Sequence, residues 1–265
     1  VTLTDLVELV RGAALGPSPA LCSVSVGFVT RQGARHATRG QSYRNTVVSL
    51  RVEEAVGSCA VEDIADDEVH GCVGATVLDL LDHPNPAIRT AALDAYLAHV
   101  RPHHLSATKS ITIGPGSSLA KSMARAEAVV DLLDPAPGDR VLVVGVVNSL
   151  LHHLREQGAT YVPCDLKGGR TEWDEPITTD AGSALDECDL VLASGMTVGN
   201  GTFEPLLRHA AGAGKPVVLF AQTAGAVLPW FIGHGVRAVS AEPYPFFWLD
   251  GGPTTIHHYT ERPSC

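Results

Sequence analysis

From Arg140 to Asp165 the chain reads RVLVVGVVNSLLHHLREQGATYVPCD, and this stretch restricts the fold more than any other. Val141 to Val144 form a short apolar run ended by Gly145, the pattern of a parallel strand buried on both faces. A helix follows, with Asn148 and Ser149 placed to cap it, and a second strand closes on Asp165. Strand, tight turn, helix and acidic strand end make the opening unit of a nucleotide-binding α/β domain. In such sheets ligands sit beyond the carboxyl ends of the strands, and an acidic side chain about 20 residues after the first glycine hydrogen-bonds ribose hydroxyls.

The turn itself narrows the ligand. A dinucleotide fingerprint uses three glycines so that the backbone can approach a pyrophosphate, whereas GVVNSL offers only Gly145. An NAD-dependent oxidoreductase is therefore the least favoured of three readings. A nucleoside without pyrophosphate, S-adenosylmethionine above all, needs no second glycine. On this reading Gly145, Asn148, Asp165, Gly195 and Thr197 hold the cofactor.

Further along, strands are expected at Leu190 to Ser194, Pro216 to Ala221 and Val236 to Ala241, joined by helices at Thr202 to Ala213 and Ala226 to His234. Alternating elements of this length predict a mostly parallel sheet with helices on both faces. The first third differs. A helix at Leu3 to Leu15 is followed by a strand from Cys22 to Thr30, a turn at Gln32 and Gly33, a return arm at Ala34 to Gly40 and a strand at Tyr43 to Val52. A long helix then starts at Pro86, where proline is tolerated in a first turn, and runs to Val100. The expected organisation is a small α+β domain over residues 1–105, a crossover rich in Gly and Pro at Ile111 to Ser118, and a second α/β domain over 106–265.

Two loops carry candidate chemistry. GMTVGNGTF, Gly195 to Phe203, lies just past the third strand, where Asn200 and Gly201 suit a tight turn and Thr202 can cap the next helix. With Gln222 at the end of the fourth strand, Asn200 and Thr202 are the candidate catalytic residues. Chemistry on a sulfonium substrate would rest mainly on positioning, since the leaving group is built in. KGGRTEWDEP, Lys167 to Pro176, reads as a lid whose Glu172 and Trp173, with Tyr161 on the strand before it, would recognise substrate; a cation over Trp173 or Tyr161 is physically reasonable. Glu204 completes the substrate set.

Twelve histidines invite a metal reading. The pairs His103-His104, His152-His153 and His257-His258 are adjacent, however, and neighbours do not converge on one ion as residues four apart on a helix do. His70 and Cys72, two apart, could face the same way from a strand and are the weak metal candidates. Six cysteines without a C-x-x-C pair are expected as free thiols. No nucleophile elbow, phosphate loop or zinc-protease motif occurs.

A formal charge of −10 opposes binding to nucleic acid, which needs Lys and Arg to neutralise phosphates. No apolar run approaches the ~20 residues of a membrane span, and the first residues lack signal-peptide character, so the expectation is a cytoplasmic protein, away from membranes, that acts on small molecules and assembles as a homodimer.

GVVNSLLHHL, YVPCDL, DLVLASGMTVGNGTFEPLL and VVLFAQTAGAVLPWFIGHGV together resemble a family of Rossmann-like bacterial and archaeal proteins described as heavy-metal chelation proteins. The family's strand end of the form T-G-x-T-x-x-N-G-T-x-E is matched by Ser194 to Glu204. The resemblance covers the C-terminal half. It implies a Rossmann-like domain, a first domain like the N-terminal domain of enolase, and a pocket between them around Gly195 to Thr202. It also keeps open a non-catalytic metal or metal-chelate binding protein as the alternative to an S-adenosylmethionine-dependent transferase or lyase.

Overall fold

A computed structural model describes residues 1–35, 42–245 and 250–261 of the 265. The chain is a mixed α/β protein, with two sheets among the described residues. The first is antiparallel, in the order β1 (Val24–Arg35), β2 (Ser42–Val52), β3 (Ala55–Val61). Helix α1 (Leu3–Arg11) opens on a capping box in which Thr2 and Asp5 satisfy each other's backbone amides, and it stops at Gly12, earlier than the apolar spacing predicts. Short helices α2 (Asp66–His70) and α3 (Val77–Leu80) lead to α4 (Pro86–Val100) and α5 (His103–Ser106). Pro86 is at the start of α4 as expected, and Asn85 accepts the Ala87 amide at 2.9 Å. Gly33 pairs with Arg44 within the β1–β2 ladder, so Gln32 and Gly33 belong to a strand; the residues joining the arms lie outside the described set.

The second sheet has seven strands: β4 (Lys109–Ile113), β5 (Arg140–Val144), β6 (Thr160–Cys164), β7 (Leu190–Ser194), β8 (Val217–Ala221), β9 (Val236–Ala241) and β10 (Thr254–Thr260). Their spatial order is β4-β10-β9-β8-β7-β5-β6. β5 to β9 are mutually parallel, and β10 pairs antiparallel with both β9 and β4. Helices α6 (Ser118–Leu133) and α7 (Asn148–Glu156) cover one face, where Val129, Leu133, Leu150 and Leu154 pack on Val141, Val143 and Leu192. On the other face lie α8 (Ala181–Leu185), α9 (Met196–Gly199) and α10 (Phe203–Gly212), together with α1 to α4 and the three-stranded sheet. One apolar core joins Leu6, Leu50, Ile88 and Tyr96 to Leu142, Phe203 and Phe231.

The helix expected at Ala226 to His234 is only a 3-10 turn, Leu228–Phe231. Pro229 withholds an amide there and Gly233 and Gly235 take positive φ, so a regular helix cannot propagate. Among the described residues no helix is long and apolar enough to cross a membrane. Cys22, Cys59, Cys72, Cys164 and Cys188 are free and buried. Burial raises the thiols of Cys59, Cys164 and Cys188, that of Cys59 to about 12.

Candidate functional site

The chain runs from β5 outward to β6 and then returns to β7 on the other side of β5. Strand order reverses there, which opens a crevice at the carboxyl ends. Gly145 takes φ 86°, and a Cβ on it would come within 2.7 Å of the Ser194 Cβ, so only glycine lets β5 and β7 end side by side. Asp165 is half-buried beside this turn, its Oδ2 accepting from the Val146 amide at 3.4 Å and its Oδ1 from the Lys167 amide at 3.0 Å. Asn148 is buried as the first residue of α7; its Oδ1 accepts from the Glu172 amide at 3.3 Å. The residue preceding the helix is Val147, which provides no side-chain cap, and Ser149 instead meets Ser122 at 3.0 Å. Gly195 has no room for a side chain, since a Cβ would lie 2.2 Å from the Thr223 carbonyl oxygen. Thr197 is buried and donates to the Ser194 carbonyl at 2.7 Å, which leaves it supporting the turn.

The acidic loop after β6 is folded down on α7. Arg155 stacks over Trp173 at 4.1 Å and Tyr161 at 5.3 Å and pairs with Glu175 at 2.5 Å. Tyr161 donates to Glu175 at 2.7 Å and Thr171 donates to it at 3.0 Å. The two aromatics therefore hold an internal cation, where a ligand cation was expected, and the Glu172 backbone is tied to Asn148. Burial and the Glu175 carboxylate raise the Tyr161 phenol. His70 is exposed at the end of α2, whereas Cys72 is buried in the following turn with its thiol donating to the Glu68 carbonyl at 3.4 Å. They do not face a common point, because the segment is helix and turn and not a strand.

The expected catalytic trio is divided. Asn200 ends α9, accepting from the Thr202 amide at 3.1 Å and hydroxyl at 2.7 Å, and it faces a cleft beside α1 and α4. The Thr202 side chain makes no cap bond to the following helix. Glu204 accepts the Leu3 amide at 2.9 Å, so its carboxylate serves the start of α1. Gln222 lies elsewhere, on the wall of a second and more polar cleft.

That second cleft, about 550 Å³, lies where the carboxyl ends of β8 and β9 meet β3, α4 and α5. His99, His103, His104 and His257 line it, with Asp94, Glu54, Glu242, Tyr244 and Gln222. His103 stacks on His257 with ring centroids 5.6 Å apart. The His103 Nδ1 hydrogen-bonds the Tyr259 hydroxyl at 2.8 Å, and the His257 Nδ1 the Ser110 hydroxyl at 2.9 Å. Burial holds His103 down to about 4, helped by the neighbouring His257 and Arg101, and also lowers His257. Both rings are thus neutral near pH 7.

Asp94 and Glu242 are buried carboxyl side chains with different partners. Asp94 accepts the Ser58 amide of β3 at 2.9 Å and the Ala226 amide at 2.7 Å, linking α4 to both sheets. Its burial outweighs those bonds and raises the carboxyl to about 7. Both Glu242 oxygens accept from the Arg125 Nε at 2.8 Å, Oε1 also accepts from the Ser240 hydroxyl at 3.5 Å, and Arg125 lies over Phe220 at 5.2 Å. Tyr244 hydrogen-bonds the Thr30 hydroxyl of β1.

Sequence spacing did not indicate this gathering. His257 and His258 alternate across β10, so only His257 enters the cleft, while His258 is buried on the α6 side. The other histidines of the cleft come from α4 and α5, more than a hundred residues earlier. Among the described residues no group of three His, Cys, Asp or Glu side chains is close enough to hold a metal ion.

Residues 128–241 match the DUF364 family model, whose description is "Putative heavy-metal chelation". A crystal structure of a DUF364 protein of unknown function from Desulfitobacterium hafniense DCB-2 superposes with a TM-score of 0.58 at 17% identity, over 97% of this chain and 100% of that one. A second, from Pyrococcus horikoshii, gives 0.53 at 18% identity over 89% and 86%. No curated protein matches the chain. The chain thus carries the DUF364 sequence signature in its parallel-sheet half, within a fold that DUF364 proteins share.

Proposed function

We propose that the protein binds a small molecule carrying an already part-chelated metal, in the cleft lined by His99, His103, His104 and His257. The wall of four histidines carries this reading. Neutral imidazole is the metal-binding form, and burial favours that form for His103 and His257. A bare ion fits poorly, because the described side chains offer no group of three ligands. A chelate that fills most of the metal's positions itself needs only one or two imidazoles from the protein. The description of the DUF364 family agrees with a metal-related role.

A second reading keeps S-adenosylmethionine as the ligand and a transferase or lyase activity. The observation in its favour is Asp165 at the end of β6, beside the single-glycine turn of β5 where strand order reverses. One melting experiment separates the two. Nickel nitrilotriacetate at about a hundredfold over its Kd is expected to raise the melting temperature by about 5–10 °C, an effect lost in His257→Ala and weakened in His104→Ala. Nickel ion alone should do much less. Stabilisation by S-adenosylmethionine that disappears in Asp165→Ala, with no response to the nickel chelate, would reverse the choice.

A further inference from the structure

A separate cleft of about 490 Å³ lies between α1, α4 and the Gly199–Gly201 turn, and it shares no lining residue with the histidine cleft. Its walls are aliphatic, with Leu3 and Val7 from α1, Leu93 from α4 and Val198 from α9. Arg89 and Asn200 interrupt them, together with the hydroxyls of Thr4 and Thr90, and among the described residues no Asp or Glu lines the space. Arg89 is oriented from behind: one terminal nitrogen donates to the carbonyls of His83 at 2.6 Å and Pro84 at 3.1 Å. Asp82 is close enough for Arg89 to lower its carboxyl, but Arg11 already holds both its oxygens at 2.6 and 3.1 Å. The carboxylate of Glu204 is committed to the Leu3 amide. Asn200 is oriented too, since its oxygen accepts twice from Thr202 and its NH2 group remains as a donor.

An aliphatic cleft that presents a guanidinium and an amide donor, without a lining carboxylate, suits an anionic head on an apolar tail. We propose that this cleft binds a small aliphatic monocarboxylate, with Arg89 and Asn200 donating to the carboxylate and the tail lying against Val7, Leu93 and Val198. Guanidinium suits carboxylate better than any neutral acceptor, because its hydrogen bonds are then charge-assisted. The space accommodates a branched acid of about five carbons.

The test is calorimetric titration of the intact protein with isovalerate and with isovaleramide, which has the same shape without the charge. Isovalerate should bind at least tenfold more tightly than the amide, and Arg89→Gln should abolish the difference. Asn200→Asp keeps the oxygen that serves Thr202 and replaces the donor with a negative charge; it should weaken isovalerate at least tenfold while leaving the melting temperature near that of the parent. Equal affinity for acid and amide, unchanged isovalerate binding in Asn200→Asp, or no isovalerate binding up to about 10 mM would each overturn the proposal. None of these results bears on the histidine cleft.

Discussion

Asp94 shows how much one side chain can be asked to do. It sits on α4, is fully buried, and gives its oxygens to amides of β3 and of the segment after β8. A buried amide without an acceptor costs about 1–3 kcal/mol, and truncation at Asp94 orphans at least two. Asp94→Ala is accordingly expected to cost about 2–5 kcal/mol, read from the urea midpoint at constant slope. Nothing in IRTAALDAYL, Ile88 to Leu97, distinguishes this aspartate from a solvated helix residue; its role comes from amides 36 and 132 positions away. Asp165 is the opposite case. Its place at a strand end beside Gly145 was legible because both belong to one local strand, helix and strand unit.

At the scale of elements, close approach decides what packs where. α4 lies so near β3 that a Cβ on Gly57 would stand 2.0 Å from the Ala95 nitrogen and 2.3 Å from the Ala91 oxygen. The obstruction is backbone and cannot rotate away. Gly57→Ala is expected to push helix and strand apart and cost about 1–3 kcal/mol or more, whereas Gly114→Ala, with open space around it, should stay within about 0.5 kcal/mol; paired urea titrations check both. The same region shows why some elements escaped the sequence. AVGSCAV in β3 is too small-residued to look like a strand, and KSITI in β4 lies beside GPGSS, whose turn signals dominate the window. β10 alternates too weakly to stand out, with histidines on both of its faces. α4, β5, β7 and β8 were legible because each has a clear period or an unbroken apolar run bounded by turn residues.

For the whole molecule, buried titratable groups set the response to pH. His103 and His258 are both held down to about 4 against an ordinary 6.5. The unfolded chain therefore binds more protons between those values, and their contribution to stability grows as pH rises from about 4 to about 6.5. Asp94 acts in reverse: with its carboxyl raised from 3.8 to about 7, its contribution is complete below about 3.8 and is lost as pH climbs through 7. Two histidines against one aspartate predict a stability maximum near pH 6.5, followed by a fall that Asp94→Asn should remove. Urea midpoints between about pH 5 and 8 test this, and a flat profile in the parent would contradict it. The larger sheet has a consequence in time as well. β4 finds its only strand partner, among the described residues, in β10, where Ile113 pairs with Thr254 about 140 residues later. During synthesis β4 must wait, unpaired, while the five parallel strands assemble, and His257 arrives with the same late strand. The binding wall and the sheet edge are thus finished together, so a nascent chain cannot present a complete histidine cleft before its largest sheet has closed.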